Sequence, residues 1–370
     1  MTKTEEIRQA AEADLVTFIR LVHPMRVLGS IHEDLCRWWT KPDAKSHQLV
    51  LLPRDHGKSA MLAYRVAWEI TKDPTLKILY LSSTANLATK QLKFIKDIID
   101  SPIYRRYWPD HLHPEEGKRE KWTETEISLD HPLRKAEAIR EPTIFTGGLT
   151  TSLTGLHCDI SCLDDVVVKE NAYTEDAREK VRSQYSLLTS IEGSNARQWV
   201  VGTRYFPDDL YNDMMVMEAE EFDEDGELVK QYNVYEKLEY AVENSTSGDG
   251  SGDFLWERQQ RYDGKWFGFN QNILAKKKAT YPDRTQFRAQ YYNNPQDPDD
   301  QAIVRDYFNY YDPSHITRHA GQVFYKGRKM NTFAAVDFAF SYSKKADYTA
   351  IVTIGVDHEN NYYVLDIDRF

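Results

Sequence analysis

The chain has 370 residues, of which 41% are hydrophobic, and its 47 Lys and Arg against 58 Asp and Glu give a net charge of −11. At about 100–200 residues per domain, this length predicts two or three domains, and the composition is that of a folded protein. The acidic balance excludes a protein that coats nucleic acid by bulk charge, whereas a local basic groove would still suffice for a DNA enzyme.

Membrane and secreted proteins are disfavoured by the sequence. No apolar run approaches the roughly 20 residues that span a bilayer, and the polar first residues are unlike a secretory signal. The three cysteines, Cys36, Cys158 and Cys162, indicate a reducing compartment without a disulfide framework. We interpret Cys158 and Cys162 as core residues, because two sulfurs alone make no zinc site.

Helical and strand-like patterns alternate over residues 1–207. Apolar strands alternating with helices predict a mostly parallel sheet covered on both faces, and we assign this stretch to one domain with two N-terminal helices. The predicted helices are Glu5–His23, Ile31–Thr40, Ser59–Thr71, Asn86–Ile99 and Thr174–Thr189, and the predicted strands are His47–Pro53, Lys77–Ser83, Thr143–Leu149, Asp159–Asp165 and Gln198–Thr203.

A smaller linking region is predicted at 208–327. Seven acids and no base in Glu218–Glu227 indicate a solvated loop or hairpin tip. Val229–Ala241 fits a strand or a helix, and Asn244–Asp253 reads as a flexible loop. From Asn270, a helical pattern leads to Phe287–Tyr292.

Residues 328–370 predict three strands, at Thr332–Phe338, Tyr348–Asp357 and Tyr362–Asp368, with a hairpin loop between the last two. Three strands without a covering layer make a poor domain. We therefore expect a larger domain to continue beyond Phe370.

The first predicted strand runs into Arg54-Asp55-His56-Gly57-Lys58-Ser59 and then a helix. A Gly-Lys-Ser turn in this position wraps phosphate oxygens with backbone N–H groups at the positive end of the helix dipole. Lys58 would neutralise the β- and γ-phosphates, and Ser59 would ligate Mg²⁺. The match is incomplete because Leu52 stands where the pattern has its first glycine, and a surface turn with a Ser helix cap is the alternative.

A second carboxylate is expected beside such a loop. The strand Asp159–Asp165 ends in two acids, of which Asp164 would support Mg²⁺ and Asp165 would polarise water; the alternative is a helix-capping pair. In P-loop ATPases with an extra strand in the sheet, a strand such as Gln198–Thr203 lies between the strand before the phosphate-binding turn and the strand that ends in the acidic pair. Thr203 or Arg204 could then sense the nucleotide, unless this is an ordinary Gly-Thr turn.

Four segments carry a resemblance to a known family. They are Pro53–Ser59 with its Arg, Thr154–Asp159 leading into Asp164-Asp165, Gln286–Pro295 with its Phe-x-x-Gln-Tyr-x-Asn-x-Pro pattern, and Val336–Ala339 followed by Asp347–Val352. In order and spacing, these segments resemble the large subunit of tailed-phage terminases, the ATPase and nuclease of DNA-packaging motors. The resemblance implies an α/β fold: a P-loop (ASCE-type) ATPase, a linker subdomain and the first strands of an RNase H-like nuclease.

The resemblance also implies roles for the ATPase residues. ATP would be held by Pro53, Arg54, Asp55, His56, Gly57, Lys58 and Ser59; Mg²⁺ would be held by Ser59 and Asp164; and catalysis would involve Lys58, Asp165, Arg54 and Thr203. The family usually has Glu where this chain has Asp165. Arg54 would contact the γ-phosphate or a neighbouring subunit. His32 stands roughly where the family reads adenine, with a helix-cap or core histidine as the alternative.

A nuclease site with two Mg²⁺ or Mn²⁺ ions is implied as well. Asp337 matches its first acid and Asp347 is a weaker candidate. The remaining acids are expected beyond Phe370, so we expect this chain not to cut DNA.

The partners implied are double-stranded DNA, the portal protein ring, the small terminase subunit and further copies of the chain in a pentameric ring. The site of action would be the host cytoplasm, with transient docking on the procapsid portal. Lys276–Lys278 and Lys326–Lys329 are basic clusters available for DNA phosphates. The alternatives are another DNA-stimulated P-loop ATPase, such as a helicase, or a nucleotide-binding scaffold without a packaging role.

Overall fold

The computed structural model describes residues 2–151, 155–223, 225–245, 248–296, 309–338 and 349–369. The chain divides into two compact units, 1–300 and 301–370. The predicted linking region is thus shared, with 208–300 in the first unit and 301–327 in the second. The division into three domains at 1–207, 208–327 and 328–370 stays a prediction.

The helices of the first unit follow the apolar periodicity of the sequence. They are α1 (Lys3–Ala13), α2 (Leu15–Val22), α3 (Ser30–Thr40), α4 (Lys58–Lys72), α5 (Ala85–Ile99), α6 (Pro102–Tyr107), α7 (Pro132–Ala136), α8 (Lys169–Ala172), α9 (Glu175–Ser186), α10 (Leu210–Val216), α11 (Gln271–Ala279) and α12 (Arg284–Tyr292). Along the described residues, no helix combines the length and the apolar character that crossing a membrane requires.

The single helix predicted at the N-terminus is two helices. Asp14 ends α1 in an extended conformation, and its carboxylate accepts the backbone N–H of Thr17 at 2.7 Å. Such a cap satisfies an amide that has no partner within the helix. The chain therefore starts a new helix at Asp14, although the apolar pattern of Glu5–His23 continues through this position.

The strands of the first unit are β1 (His47–Leu51), β2 (Ile78–Ser82), β3 (Glu126–Ile127), β4 (Ile144–Gly148), β5 (Cys158–Asp164), β6 (Glu192–Gly202), β7 (Glu218–Phe222), β8 (Leu228–Asn233), β9 (Tyr235–Glu239), β10 (Gln259–Gln260) and β11 (Trp266–Phe267).

Seven strands form the central sheet, in the order β3-β4-β2-β5-β6-β1-β9. All neighbours pair in parallel except β3 and β4. In β1, Val50 belongs to one hydrophobic cluster and Leu49 and Leu51 to another, so both faces of the sheet are buried. The predicted α/β fold with a mostly parallel sheet is confirmed, and β6 lies between β1 and β5 as expected.

Parallel pairing brings the carboxyl ends of the central strands to one edge of the sheet. The register aligns Leu51 of β1 with Gly202 of β6, and Ser82 of β2 with Asp164 of β5. The residues that follow these strands are therefore neighbours, which is the usual place for a ligand in an open parallel sheet.

The remainder of the first unit holds a hairpin and a helical pair. β7 and β8 pair antiparallel, so the described residues of the acidic segment Glu218–Glu227 lie in one strand and at the tip of a hairpin. Val229–Ala241, which fitted a strand or a helix, lies in β8 and β9. α11 and α12 pack through a third cluster that includes Leu274, Phe287 and Tyr291.

The second unit is a five-stranded antiparallel sheet in chain order. Its strands are β12 (Ile316–His319), β13 (Gln322–Tyr325), β14 (Arg328–Asp337), β15 (Ala350–Val356) and β16 (Tyr362–Arg369). The hairpin predicted between the last two strands is confirmed by their pairing.

Candidate nucleotide-binding site

The loop between β1 and α4 is shaped by two left-handed residues. Asp55 has φ +66° and Gly57 has φ +70°, a conformation that costs a glycine little and other residues more. Gly57 is the N-cap of α4 and contributes no side-chain cap. The first-turn N–H groups of α4 thus lie next to the loop, where a helix terminus favours an anion.

Ser59 contacts β5 and does not cap its own helix. Its hydroxyl donates to Asp164 Oδ1 at 2.7 Å, and the Tyr80 hydroxyl donates to Asp164 Oδ2 at 3.0 Å. Alternate residues of a strand share a face, which places Tyr80 and Asp164 on the side of the sheet that α4 covers. The alternative of a Ser cap is therefore not the arrangement found.

Asp164 is buried, with 3% of its surface exposed. Burial, and after it the charge of Asp165, raises the pKa of Asp164 to about 7, while the bond from Ser59 and the charge of Lys58 act in the opposite direction. A carboxylate in this position is stabilised by any additional positive charge.

Asp165 has a left-handed backbone, with φ +47°, and its N–H donates to the Val201 carbonyl at 2.9 Å. Its Oδ2 lies 3.2 Å from Lys58 Nζ, and its buried Oδ1 has no hydrogen-bond partner among the described residues. The next helix, α8, has Val168 as its N-cap, so the two acids do not form the capping pair considered as an alternative.

The charges of this site fit a divalent cation. Among the described residues, Asp164 and Asp165 face the buried ammonium of Lys58, and Asp165 Oδ1 has no hydrogen-bond partner. Within the described stretches, no group of three or more His, Cys, Asp or Glu could hold a metal alone. Mg²⁺ commonly binds through one or two protein oxygens together with phosphates and water, which the pair Ser59 and Asp164 could supply.

Two buried histidines, one in the loop between β1 and α4 and one in α3, lie next to each other. His32 Nδ1 accepts the Gly29 N–H at 2.9 Å, and its Nε2 lies 3.0 Å from the His56 carbonyl. The His56 ring stacks on Phe269 with centroids 4.9 Å apart. Burial lowers the pKa of each histidine to about 4, which keeps both neutral near pH 7. His32 thus caps α3, which is the alternative to an adenine contact.

Thr203 and Arg54 form hydrogen bonds to residues other than Ser59, Asp164 and Asp165. Thr203 is buried, and its hydroxyl donates to the Leu52 carbonyl at 3.1 Å, which joins β6 to the end of β1. Arg54 is exposed, and its Nη1 donates to Gln290 Oε1 at 3.1 Å. Arg204 forms a buried ion pair with Asp209.

Sequence reasoning missed three residues at this edge of the sheet. Tyr80 lies on β2, two positions before Ser82, and only the strand register reveals its contact with Asp164. Gln290 and Asn293 belong to the Gln286–Pro295 segment, whose sequence pattern alone does not indicate their contacts. Lys277, one of the basic residues available for DNA phosphates, lies 2.8 Å from Asp55 Oδ2 of the loop; its contact with DNA stays a prediction.

In the second unit, Asp337 is the last residue of β14 and is exposed. It pairs in register with Ala350, and the alternation of β15 and β16 places Asp366 and Asp368 on the opposite face of the sheet. Asp347 and Thr154 lie outside the described residues. Within the part of the chain that the structure describes, Asp337 belongs to no group of three or more His, Cys, Asp or Glu that could hold a metal.

No family model matches the chain. It is 36% identical over 128 residues to the terminase large subunit of Enterobacteria phage T3, a match over 35% of this chain. The match covers only 20% of that relative's length.

Solved structures of large terminases resemble the chain with low sequence identity and low TM-scores. The large terminase of bacteriophage HK97 has 13% identity and a TM-score of 0.47, over 100% of this chain and 68% of its own. The ATPase domain of the Thermus phage P74-26 large terminase has 13% identity and a TM-score of 0.40, over 74% and 95%. The chain is thus similar to the large subunits of phage terminases.

Proposed function

We propose that the chain is a Mg²⁺-dependent ATPase that drives double-stranded viral DNA into a procapsid. The observation that carries this proposal is the contact of Lys58 with Asp165 and of Ser59 with Asp164, at the N-terminus of α4 and the carboxyl edge of a parallel sheet. The similarity to the T3 terminase large subunit supports the same function. No observation favours a helicase or an inactive scaffold over it.

The loop residues would bind the triphosphate. The backbone N–H groups of Asp55–Ser59 would surround the phosphates, whereas Pro53 has no N–H and the Arg54 N–H donates to Gln290. Lys58 would move from Asp165 towards the β- and γ-oxygens. Asp165 then accepts a hydrogen bond from the attacking water, since its contact with Lys58 is relieved. Arg54, on the exposed side of the loop, contacts the γ-phosphate or a neighbouring subunit.

Ser59 and Asp164 would hold Mg²⁺, which neutralises charge on the phosphates in this class of reaction. The raised pKa of Asp164 means that protons compete with the metal below about pH 7. Thr203 is held against Leu52 at the adjacent strand end, so movement of β1 would reach β6 through this bond.

The proposal extends to partners and location. The chain would act in the host cytoplasm as a pentameric ring docked on the portal, with the small terminase subunit and with DNA contacted through its phosphates. Asp337 would supply the first ligand of a nuclease site for Mg²⁺ or Mn²⁺. The chain spans one fifth of the T3 relative, and these activities are those proposed for the whole protein.

ATP turnover of Lys58→Ala beside the parent chain tests the site. We expect kcat to fall by about 100-fold or more, the loss typical when one charge-stabilising group is removed from a transition state. Lys93→Ala, an exposed lysine of α5, is the matched control and should turn over like the parent. Equal rates for Lys58→Ala and the parent would discard the assignment. Stimulation by DNA, and capture by a portal ring, would separate a packaging motor from other ATPases.

A further inference from the structure

The last turn of α12 contacts the phosphate loop directly. Gln290 is buried, with 2% of its surface exposed. Its backbone carbonyl accepts the Arg54 N–H at 2.8 Å, and its Oε1 accepts from Arg54 Nη1 at 3.1 Å. Its Nε2 donates to the Arg204 carbonyl at 3.4 Å. One side chain thus bonds to the loop after β1 and to the residue that follows Thr203.

Asn293 makes a second set of contacts at the end of the same helix. It is the C-cap of α12, with φ +51°, a conformation that asparagine tolerates better than most residues. Its Oδ1 accepts the Arg204 N–H at 3.1 Å, and its Nδ2 donates to the Tyr240 carbonyl at 2.9 Å. Asn293 therefore connects the ends of β6 and β9.

These bonds constrain the direction of each side chain. A buried amide that loses a hydrogen-bond partner is destabilised by its desolvation. In Gln290 and in Asn293, both the side-chain oxygen and the side-chain nitrogen are hydrogen-bonded. If Arg54 moves, either α12 moves with it or the Gln290 bonds break. Thr203, by contrast, bonds to Leu52 within the sheet, so its hydroxyl gives no direct route to residues 208–300.

We propose that Gln290 is a positioning residue for Arg54, and that Gln290 and Asn293 together transmit movement of the phosphate loop to α12. The bond to Gln290 occupies one of the five guanidinium donors of Arg54, so the side chain can be oriented while other donors remain available to a phosphate. This inference rests on the proposed ATPase function. It assigns the transmitting contacts to the Gln286–Pro295 segment and not to Thr203.

Two substitutions separate positioning from general stability. Gln290→Met has similar length but neither accepts nor donates, whereas Gln290→Glu keeps an acceptor for Arg54. We expect Gln290→Met to lower kcat about 10- to 100-fold, the scale of a small misplacement of a reacting group, with the Kd of Mg-ATP changed less than about threefold. Gln290→Glu should recover most of the lost kcat. Arg284→Gln, exposed on the first turn of α12, is the control.

Hydrogen exchange of the 370-residue chain with and without Mg-ATPγS tests transmission. In the parent, nucleotide should change the exchange of both the loop and α12. In Gln290→Met, and in Asn293→Gly, which retains the left-handed conformation, the loop should still respond and α12 should not. The two positions provide independent tests if one variant fails to fold.

The outcomes separate this inference from the proposed function. A parent chain whose loop responds while α12 does not would overturn the transmission and leave the ATPase standing. A Gln290→Met variant with the parent's kcat would overturn the positioning role. If Lys58→Ala keeps full turnover, the proposed function fails and this inference fails with it.

Discussion

Among the described residues, the edge of the parallel sheet in the first unit and the end of β14 in the second differ in how many segments converge on an acidic residue. Asp164 is contacted by side chains from α4 and β2, and its neighbour Asp165 by Lys58. Asp337 is exposed at a strand end, with Ala350 opposite it in register. An acid at the end of a strand therefore becomes a candidate site only where the topology brings other segments to it.

Asp164→Asn and Asp337→Asn test this difference, with the largest effect expected at Asp164. We expect Asp164→Asn to lower kcat about 10³-fold, because a neutral amide cannot neutralise a metal ion as a carboxylate does. Asp337→Asn should leave ATP turnover within about twofold of the parent. Asp337 has no place in the proposed ATPase site, and exposed substitutions usually change the unfolding free energy by no more than about 0.5 kcal/mol. Steady-state turnover over a range of Mg²⁺ concentrations measures both. Similar losses in the two variants would show that convergence is not the relevant distinction.

The titration of Asp164 gives the second prediction. Its pKa is raised by burial from 3.8 to about 7, so between these values the folded chain retains a proton that the unfolded chain has lost. The unfolding free energy then falls as pH rises through this window. We expect the parent value minus the Asp164→Asn value to fall from about pH 4 to about pH 7 and then level off, with a total on the order of a few kcal/mol.

Denaturant unfolding in the absence of nucleotide, at several pH values, measures that difference. Other titrating groups are common to both chains and largely cancel. A difference that stays constant with pH would contradict a raised pKa at Asp164.

The parts predicted from the sequence are those encoded locally. Apolar runs located β1, β2, β5 and β6, and the Gly57-Lys58-Ser59 turn located the loop, because each signal lies within a few neighbouring residues. β9 remained ambiguous since its burial depends on pairing with β1, far away in the chain. Gln290 could not be assigned for the same reason, because its partner Arg54 is 236 residues distant.

Two glycines with a left-handed backbone, one in each unit, give the prediction with the smallest expected effect. Gly57 in the loop between β1 and α4 has φ +70°, and Gly327 in the turn between β13 and β14 has φ +78°. A Cβ at Gly57 would lie 3.4 Å from His32 Nε2, whereas one at Gly327 would meet nothing within 4 Å. An alanine would therefore be strained in its backbone at both positions, and its Cβ would make no severe clash at either.

We expect Gly57→Ala and Gly327→Ala each to cost about 1–2 kcal/mol of unfolding free energy, the penalty of a left-handed L-residue. Gly57→Ala should in addition lower ATP turnover, because the strained loop can relax only by moving the N–H groups that would bind phosphate. Thermal unfolding and turnover of the two variants check this. A loss of turnover in Gly327→Ala as large as that in Gly57→Ala would mean that the effect at Gly57 reflects stability and not the shape of the loop.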